Sequence, residues 1–362
     1  MHARKPRCWR LVFLIIVGIC IVSFLLKSQK RTQRYTSSLI SPLHLKSSTV
    51  ATGGRSNVSS ATREQADKNV SKPLPKYMLE PIDSHDFLYL HNPRNLCSTS
   101  DHRGEHQRVD IVIFVSSAPA NFNRRYIIRT TFGHEKQWLS FKKTVVRTVF
   151  MLGMTSDDAV QSKIDQEYEL YRDIVQEDMI DSYQNLTRKT IMGLKWVTNH
   201  CRQAKFAIRI DDDVILNVPR IVDMLSKAPL HNYTAGNALF TSPAIRDKNS
   251  KFYISKEFYP ESIYPPYLTG QAYIMSTDLV EATYRTALTT RLFPWEDVFV
   301  GLCFQKMGIK ITRDDYFVCF HAAKNFCNAA KDKWKLYAVY FDLSENLMRQ
   351  AWQSLSPYMF TK

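Results

Sequence analysis

Apolar and polar positions alternate between two periods along most of the chain, and that pattern carries the first structural reading. Residues 109–115 (VDIVIFV) form an almost unbroken apolar run, which predicts a strand buried on both faces. Ser116 to Pro119 then ends it, and a helix is expected through residues 124–132, with Asn121 or Asn123 as its cap and Gly133 as its stop. A second β-branched strand is expected over 144–151. Ile164, Tyr168, Tyr171 and Val175 recur at helical spacing, so one helix is expected over 157–176 and another over 186–200. A short apolar strand over 205–210 leads directly into Asp211-Asp212-Asp213. Strands alternating with helices argue an α/β fold with a mainly parallel central sheet, whose ligands gather beyond the carboxyl ends of the strands.

The N-terminal third reads differently. Residues 11–26 (LVFLIIVGICIVSFLL) carry no charge and have basic residues on both sides. The run is slightly shorter than the ~20 residues of a typical membrane span. No small-x-small cleavage site follows it, only Phe24-Leu25-Leu26-Lys27-Ser28, so it is read as an uncleaved signal anchor and not as a signal peptide. Residues 1–10 then form a cytoplasmic tail, and residues 27–106, rich in Ser, Thr and Gly, form a lumenal stem. Residues 107–362 form the catalytic body. Asn-x-Ser/Thr acceptors at Asn57, Asn69, Asn185 and Asn232 place that body on the lumenal side.

Charge adds one exclusion. The chain of 362 residues has a formal net charge of +15. Arg4, Lys5, Arg7, Arg10, Lys27, Lys30, Arg31 and Arg34 supply much of it, with no acid among residues 1–34. The body is only mildly basic, which removes the case for a nucleic-acid partner. Cys97, Cys201, Cys303, Cys319 and Cys327 fall on the lumenal side; their odd number leaves at least one thiol unpaired within the chain, and the pairing is open.

The candidate chemistry lies in four clusters. In an extended backbone Asp211 and Asp213 project to the same side, which suits a hard divalent ion such as Mg²⁺ or Mn²⁺; the alternative is a solvated acidic turn. Glu296 and Asp297 lie among Trp295, Val298 and Phe299. They are either carboxyls tuned by burial for base work or acids that complement a helix N-terminus. His321, at the end of a strand-like run, is a metal ligand or an ordinary histidine. Arg125 and Arg129 share a helical face and meet a phosphate or solvent.

Taken in order, these clusters resemble the β-1,3-glycosyltransferase family that includes β-1,3-galactosyl- and β-1,3-N-acetylglucosaminyltransferases. The family's Arg-Arg-x-x-Ile-Arg-x-Thr-Trp motif is similar to residues 124–132, with Phe132 in place of Trp. Its Asp-x-Tyr-x-Asn-Leu-Thr-x-Lys-Thr motif is matched by Asp181, Tyr183, Asn185, Leu186, Thr187, Lys189 and Thr190. Asp211–Asp213 match its acidic triad, and Tyr264, Pro265, Tyr267, Gly270 and Tyr273 match its aromatic-glycine pattern. Glu296, Asp297, Val298 and Gly301 match its Glu-Asp-Val-x-x-Gly motif.

The resemblance implies a GT-A type fold and an inverting, Mn²⁺-dependent transfer from a UDP-sugar to a glycan of a glycoprotein or glycolipid. The protein would be a single-pass enzyme of the Golgi membrane. It implies Asp213 as the main metal ligand, Asp211 on the ribose or metal side, Asp212 beside them at the donor and His321 as a further ligand. Asp297 is implied as general base, and Arg125, Arg129 and Lys189 as nucleotide or diphosphate contacts. UDP-galactose is the expected donor, with UDP-N-acetylglucosamine as the alternative. A non-catalytic lumenal binder or chaperone on the same fold is the reading from another class.

Overall fold

The computed structural model describes residues 83–98, 108–314, 317 and 338–359. The anchor run at 11–26, Cys319, Cys327 and His321 lie outside the described residues. No helix among the described residues is long and apolar enough to cross a membrane.

The strands are β1 (Tyr89–His91), β2 (Ile111–Ser116), β3 (Val146–Met154), β4 (Ile174–Ile180), β5 (Phe206–Asp211), β6 (Ile215–Leu216), β7 (Thr234–Leu239), β8 (Tyr267–Ser276), β9 (Thr312–Arg313) and β10 (Val339–Tyr340). The helices are α1 (Phe122–Thr130), α2 (Lys136–Leu139), α3 (Asp158–Tyr171), α4 (Leu186–His200), α5 (Val218–Leu225), α6 (Thr277–Ala287), α7 (Glu296–Met307) and α8 (Glu345–Met359). The main sheet has the order β1-β4-β3-β2-β5-β8-β7-β9, and β6 pairs with β10 in a separate ribbon. The strands β4, β3, β2 and β5 run parallel, while β8 is antiparallel to both β5 and β7. The α/β class expected from the alternating pattern is therefore present, on a sheet whose parallel centre is flanked by antiparallel pairings, β1 on β4 at one edge and β8 on β5 towards the other.

The fully buried β2 explains its own composition. Ile111, Ile113 and Val115 face one apolar layer with Ile127, Phe132, Trp138 and Met348. Val112 and Phe114 face the other with Met192, Trp196, Leu279 and Val280. A strand covered on both faces has no polar side, so it reads as a continuous apolar run. Phe132, where the family motif has Trp, is wholly buried, and its carbonyl accepts the indole N–H of Trp138 at 2.5 Å.

Two expected elements differ. The helix over 157–176 stops at Tyr171, because Arg172 takes a left-handed φ of 51°, and β4 begins at Ile174. Val175 fits the helical spacing by coincidence; it is a core residue of a buried parallel strand. Residues 83–98, grouped with the stem by their polar surroundings, join the folded body. There β1 pairs with β4, and Cys97 is disulfide-bonded to Cys201 across 104 residues of sequence. Cys303 is a free, buried thiol. A loop this long leaves much chain entropy to be removed by cross-linking, so Cys97→Ser is expected to lower stability by about 2–5 kcal/mol. Urea unfolding with and without reductant checks it, since the variant should lose the reductant sensitivity of the parent.

Candidate active site

The parallel register places Asp211, at the end of β5, opposite Ser116 at the end of β2. The backbone turns at Asp212 and Asp213, so the alternation argument for a shared face ends at Asp211. The three acids have separate employment. Asp212 is buried and accepts from Ser117 Oγ, Asn121 Nδ2 and Arg124 Nη1, each at 2.8 Å. Asn121, expected as a helix cap, makes no side-chain cap bond and serves Asp212 instead.

Asp211 pairs with Arg209 Nη1 at 2.8 Å. Asp213 has a looser partner, with Arg124 Nη1 at 3.5 Å from its Oδ2. Burial first, and Asp211 next, push the Asp213 carboxyl up to about 7, with Asp212 and Asp342 adding to the rise. Asp342 reaches this point because β10 zips onto β6 and the Leu343 N–H donates to the Asp213 carbonyl at 3.1 Å.

The second pair of acids stands in the first turn of α7, so the helix-terminus reading of Glu296 and Asp297 is correct. It does not exclude the other reading. Glu296 is buried; its Oε1 lies 3.2 Å from Arg209 Nη2, and its Oε2 accepts from Thr190 Oγ1 at 3.2 Å. Burial pushes its carboxyl up to about 8. Burial likewise raises Asp297, opposed by N–H donors from Val298 and Gly270. Arg209, on β5 and almost fully buried, thus joins the two acidic groups. Burial raises the Tyr183 hydroxyl, and Asp297, Asp211 and Glu296 add to the rise, so one phenol feels acids from both groups.

Two glycines are dictated by this convergence. A Cβ on Gly270 would run into Glu296 Oε1, and one on Gly301 would meet Tyr267 Cβ at 2.6 Å, where α7 packs on β8. Gly270→Ala is expected to displace Glu296 and lower stability by about 1–3 kcal/mol; a thermal melt matching that of the parent would show that the crowding relaxes freely.

The cations of the two N-terminal motifs are engaged by protein. Arg125 is fully buried; its Nε donates to Glu167 Oε1 at 2.9 Å, its Nη1 to the Ala118 carbonyl at 2.8 Å and its Nη2 to the Pro119 carbonyl at 3.0 Å. Arg129 grips Asp173 through Nε at 2.7 Å and Nη2 at 2.8 Å. Lys189 donates to the Ser117 carbonyl at 2.8 Å and pairs with Asp181 at 2.7 Å. In this structure, then, Arg125 and Lys189 hold the loop after β2, beside the acidic triad, and Arg129 ties α1 to the end of α3. Thr187 and Thr190 of the same motif hold α7 through the Phe293 carbonyl and Glu296.

Sequence reasoning missed Arg209, Glu167 and Asp342. A basic residue two positions before Asp211 in a buried strand was a usable signal for Arg209, because a buried cation needs acids. No local signal marks Glu167 or Asp342, which meet their partners through tertiary packing. Among the described residues no three His, Cys, Asp or Glu side chains are grouped to hold a metal.

The family model described as Galactosyltransferase matches residues 123–315, which span the acids from Glu167 to Asp297. The chain belongs to the galactosyltransferase family. Beta-1,3-galactosyltransferase 1 of Mus musculus is 35% identical over 279 residues, covering 76% of this chain and 81% of that protein; the Homo sapiens protein of that name gives the same figures. Lactosylceramide 1,3-N-acetyl-beta-D-glucosaminyltransferase of Homo sapiens is 34% identical over 238 residues, 64% of this chain and 61% of its own. The solved structure of a glycosyltransferase involved in the glycosylation of the major capsid of PBCV-1 aligns at a TM-score of 0.36 and 10% identity, over 67% of this chain and 98% of that one, a likeness too loose to bear on the assignment. As a galactosyltransferase-family member the chain is a hexosyltransferase. Its geometry offers that chemistry a group of carboxylates at the end of β5 and, at the start of α7, a carboxyl raised by burial.

Proposed function

We propose that the protein is an inverting β-1,3-galactosyltransferase of GT-A type that moves galactose from UDP-galactose to a glycan of a glycoprotein or glycolipid. The observation that carries this reading is the meeting of Asp211 and Glu296 on the buried Arg209, with Tyr183 under the influence of both and of Asp297. Asp297 takes the proton from the attacking acceptor hydroxyl, and the sugar inverts as UDP leaves on the other side, with no covalent intermediate.

Asp213, whose carboxylate is crowded by other acids, would hold Mn²⁺ together with His321 and the diphosphate. The ion would supply positive charge to the departing UDP. A crowded carboxylate of this kind suits a hard cation. Asp212 shares Arg124 with Asp213, Asp211 is held by Arg209, and Arg125 and Lys189 brace the loop after β2 beside the donor while Arg129 ties α1 to the end of α3.

A β-1,3-N-acetylglucosaminyltransferase is the second reading, favoured by the near-equal identity of the lactosylceramide enzymes. The charge-free run at 11–26 and the Cys97–Cys201 disulfide support a membrane-anchored protein of the oxidising Golgi lumen. A panel of UDP-sugars with Mn²⁺, followed by linkage analysis of the product, tests the whole reading: UDP-galactose consumption with a β-1,3 product supports it, UDP-N-acetylglucosamine preference moves it to the second reading, and no consumption of any UDP-sugar removes it.

A further inference from the structure

We propose that Trp295 and Phe252 form an aromatic corner that receives the apolar face of the acceptor pyranose; this rests on the reading of Asp297 as the base. Trp295 is the N-cap of α7 and holds an extended backbone, φ −101° and ψ 113°, two residues before Asp297. Phe252 comes from the long connection between β7 and β8, and 42% of it is exposed. The two rings stand 5.6 Å apart at 79°. Trp295 packs beside the buried cluster of Tyr259, Tyr264 and Phe293, which anchors the corner from below. Tyr264 belongs to the cluster that Trp295 packs against, and its hydroxyl lies within electrostatic reach of Asp297.

Lys251 Nζ stands over the Phe252 ring, 4.6 Å from its centroid, so the corner pairs the phenyl ring with a cation as well as with the Trp295 ring, and large aromatics contribute strongly to a contact when covered. One face of a pyranose carries only C–H groups and matches the negative face of an aromatic ring, while its hydroxyls remain on the rim. Uracil is the other flat ligand of the reaction. It belongs to the UDP end, at Asp211–Asp213, whereas the corner adjoins the acid that accepts the proton. The class of ligand is therefore a glycoside that presents an unsubstituted C–H face beside the hydroxyl to be glycosylated.

The test uses the full chain with methyl glycosides of N-acetylglucosamine and of galactose as acceptors. Phe252→Ala, on an exposed loop, is expected to raise the acceptor KM roughly threefold to tenfold, the range of an aromatic contact, with UDP affinity by calorimetry within about twofold of the parent. Trp295→Ala should give at least as large a rise in KM, and Trp295→Phe should recover part of it. Unchanged acceptor KM in Phe252→Ala and Trp295→Phe overturns the inference, as does a fall in UDP affinity that tracks the rise in KM. If the parent consumes no UDP-sugar, the proposed function fails by itself; the corner is then judged by direct calorimetry of the methyl glycosides, where equal binding by parent and Phe252→Ala overturns it.

Discussion

Asp297→Asn is expected to remove sugar transfer and leave UDP binding intact: turnover should fall by ~10²–10⁴-fold, the range for loss of a general base, while calorimetry with UDP returns the parent affinity. The amide keeps the shape of the carboxyl and can still accept the Val298 N–H at 2.8 Å, so the turn at the start of α7 is retained. What disappears is the ability to take a proton. Of the two adjacent acids, Glu296 is the wrong one for that step. Its oxygens are occupied by Arg209 and Thr190 inside the fold. Asp297 is held by backbone donors, and burial raises its carboxyl toward the working range of a base. Time courses of product formation with the preferred UDP-sugar check the prediction; turnover within about tenfold of the parent would reassign the base.

The pattern of apolar positions disclosed the buried strands β2, β3 and β5, and it placed α4 at Leu186–His200. These elements are covered on both faces or along one stripe, so periodicity reports them directly. The boundary between α3 and β4 was illegible because it depends on a left-handed Arg172, a conformation with no sequence mark in a non-glycine residue. The antiparallel β8 was equally hidden, since Gly270, Gln271 and polar neighbours interrupt its apolar pattern where the site is built. Within the site, residue type disclosed which side chains matter but not what they touch. Arg125 and Arg129 lie on one helical face as expected, yet that face turns inward to Glu167 and Asp173. A guanidinium with five donors is as well suited to protein carboxylates such as Glu167 and Asp173 as to a diphosphate, and only packing decides between them.

Arg209→Met should be the most damaging single change to both stability and transfer. It takes away the counter-charge that Asp211 and Glu296 share, and loss of one partner of a buried ion pair typically costs about 3–5 kcal/mol. The pH dependence identifies the cause. Glu296 is held at about 8 in the folded protein against an ordinary 4.5, so the folded state binds more protons than the unfolded chain between those values. Stability contributed by its proton is full below about 4.5 and is lost as pH rises through about 8. Without Arg209 the folded carboxyl rises further, so this part of the deficit should appear as pH rises through about 8 and be absent well below it, where Glu296 is protonated in both folded proteins. Urea titrations at several pH values measure this, and a pH-independent deficit below about 1 kcal/mol would reduce the contact to a surface-like pair. Adding Glu296→Gln should recover the alkaline part of the deficit, because above about 8 it removes one of the two carboxylates left without a counter-charge. It should not recover transfer: Asp211 is still without its counter-charge, and the cation that joins β5, which carries Asp211, to α7, which carries the proposed base Asp297, is still missing.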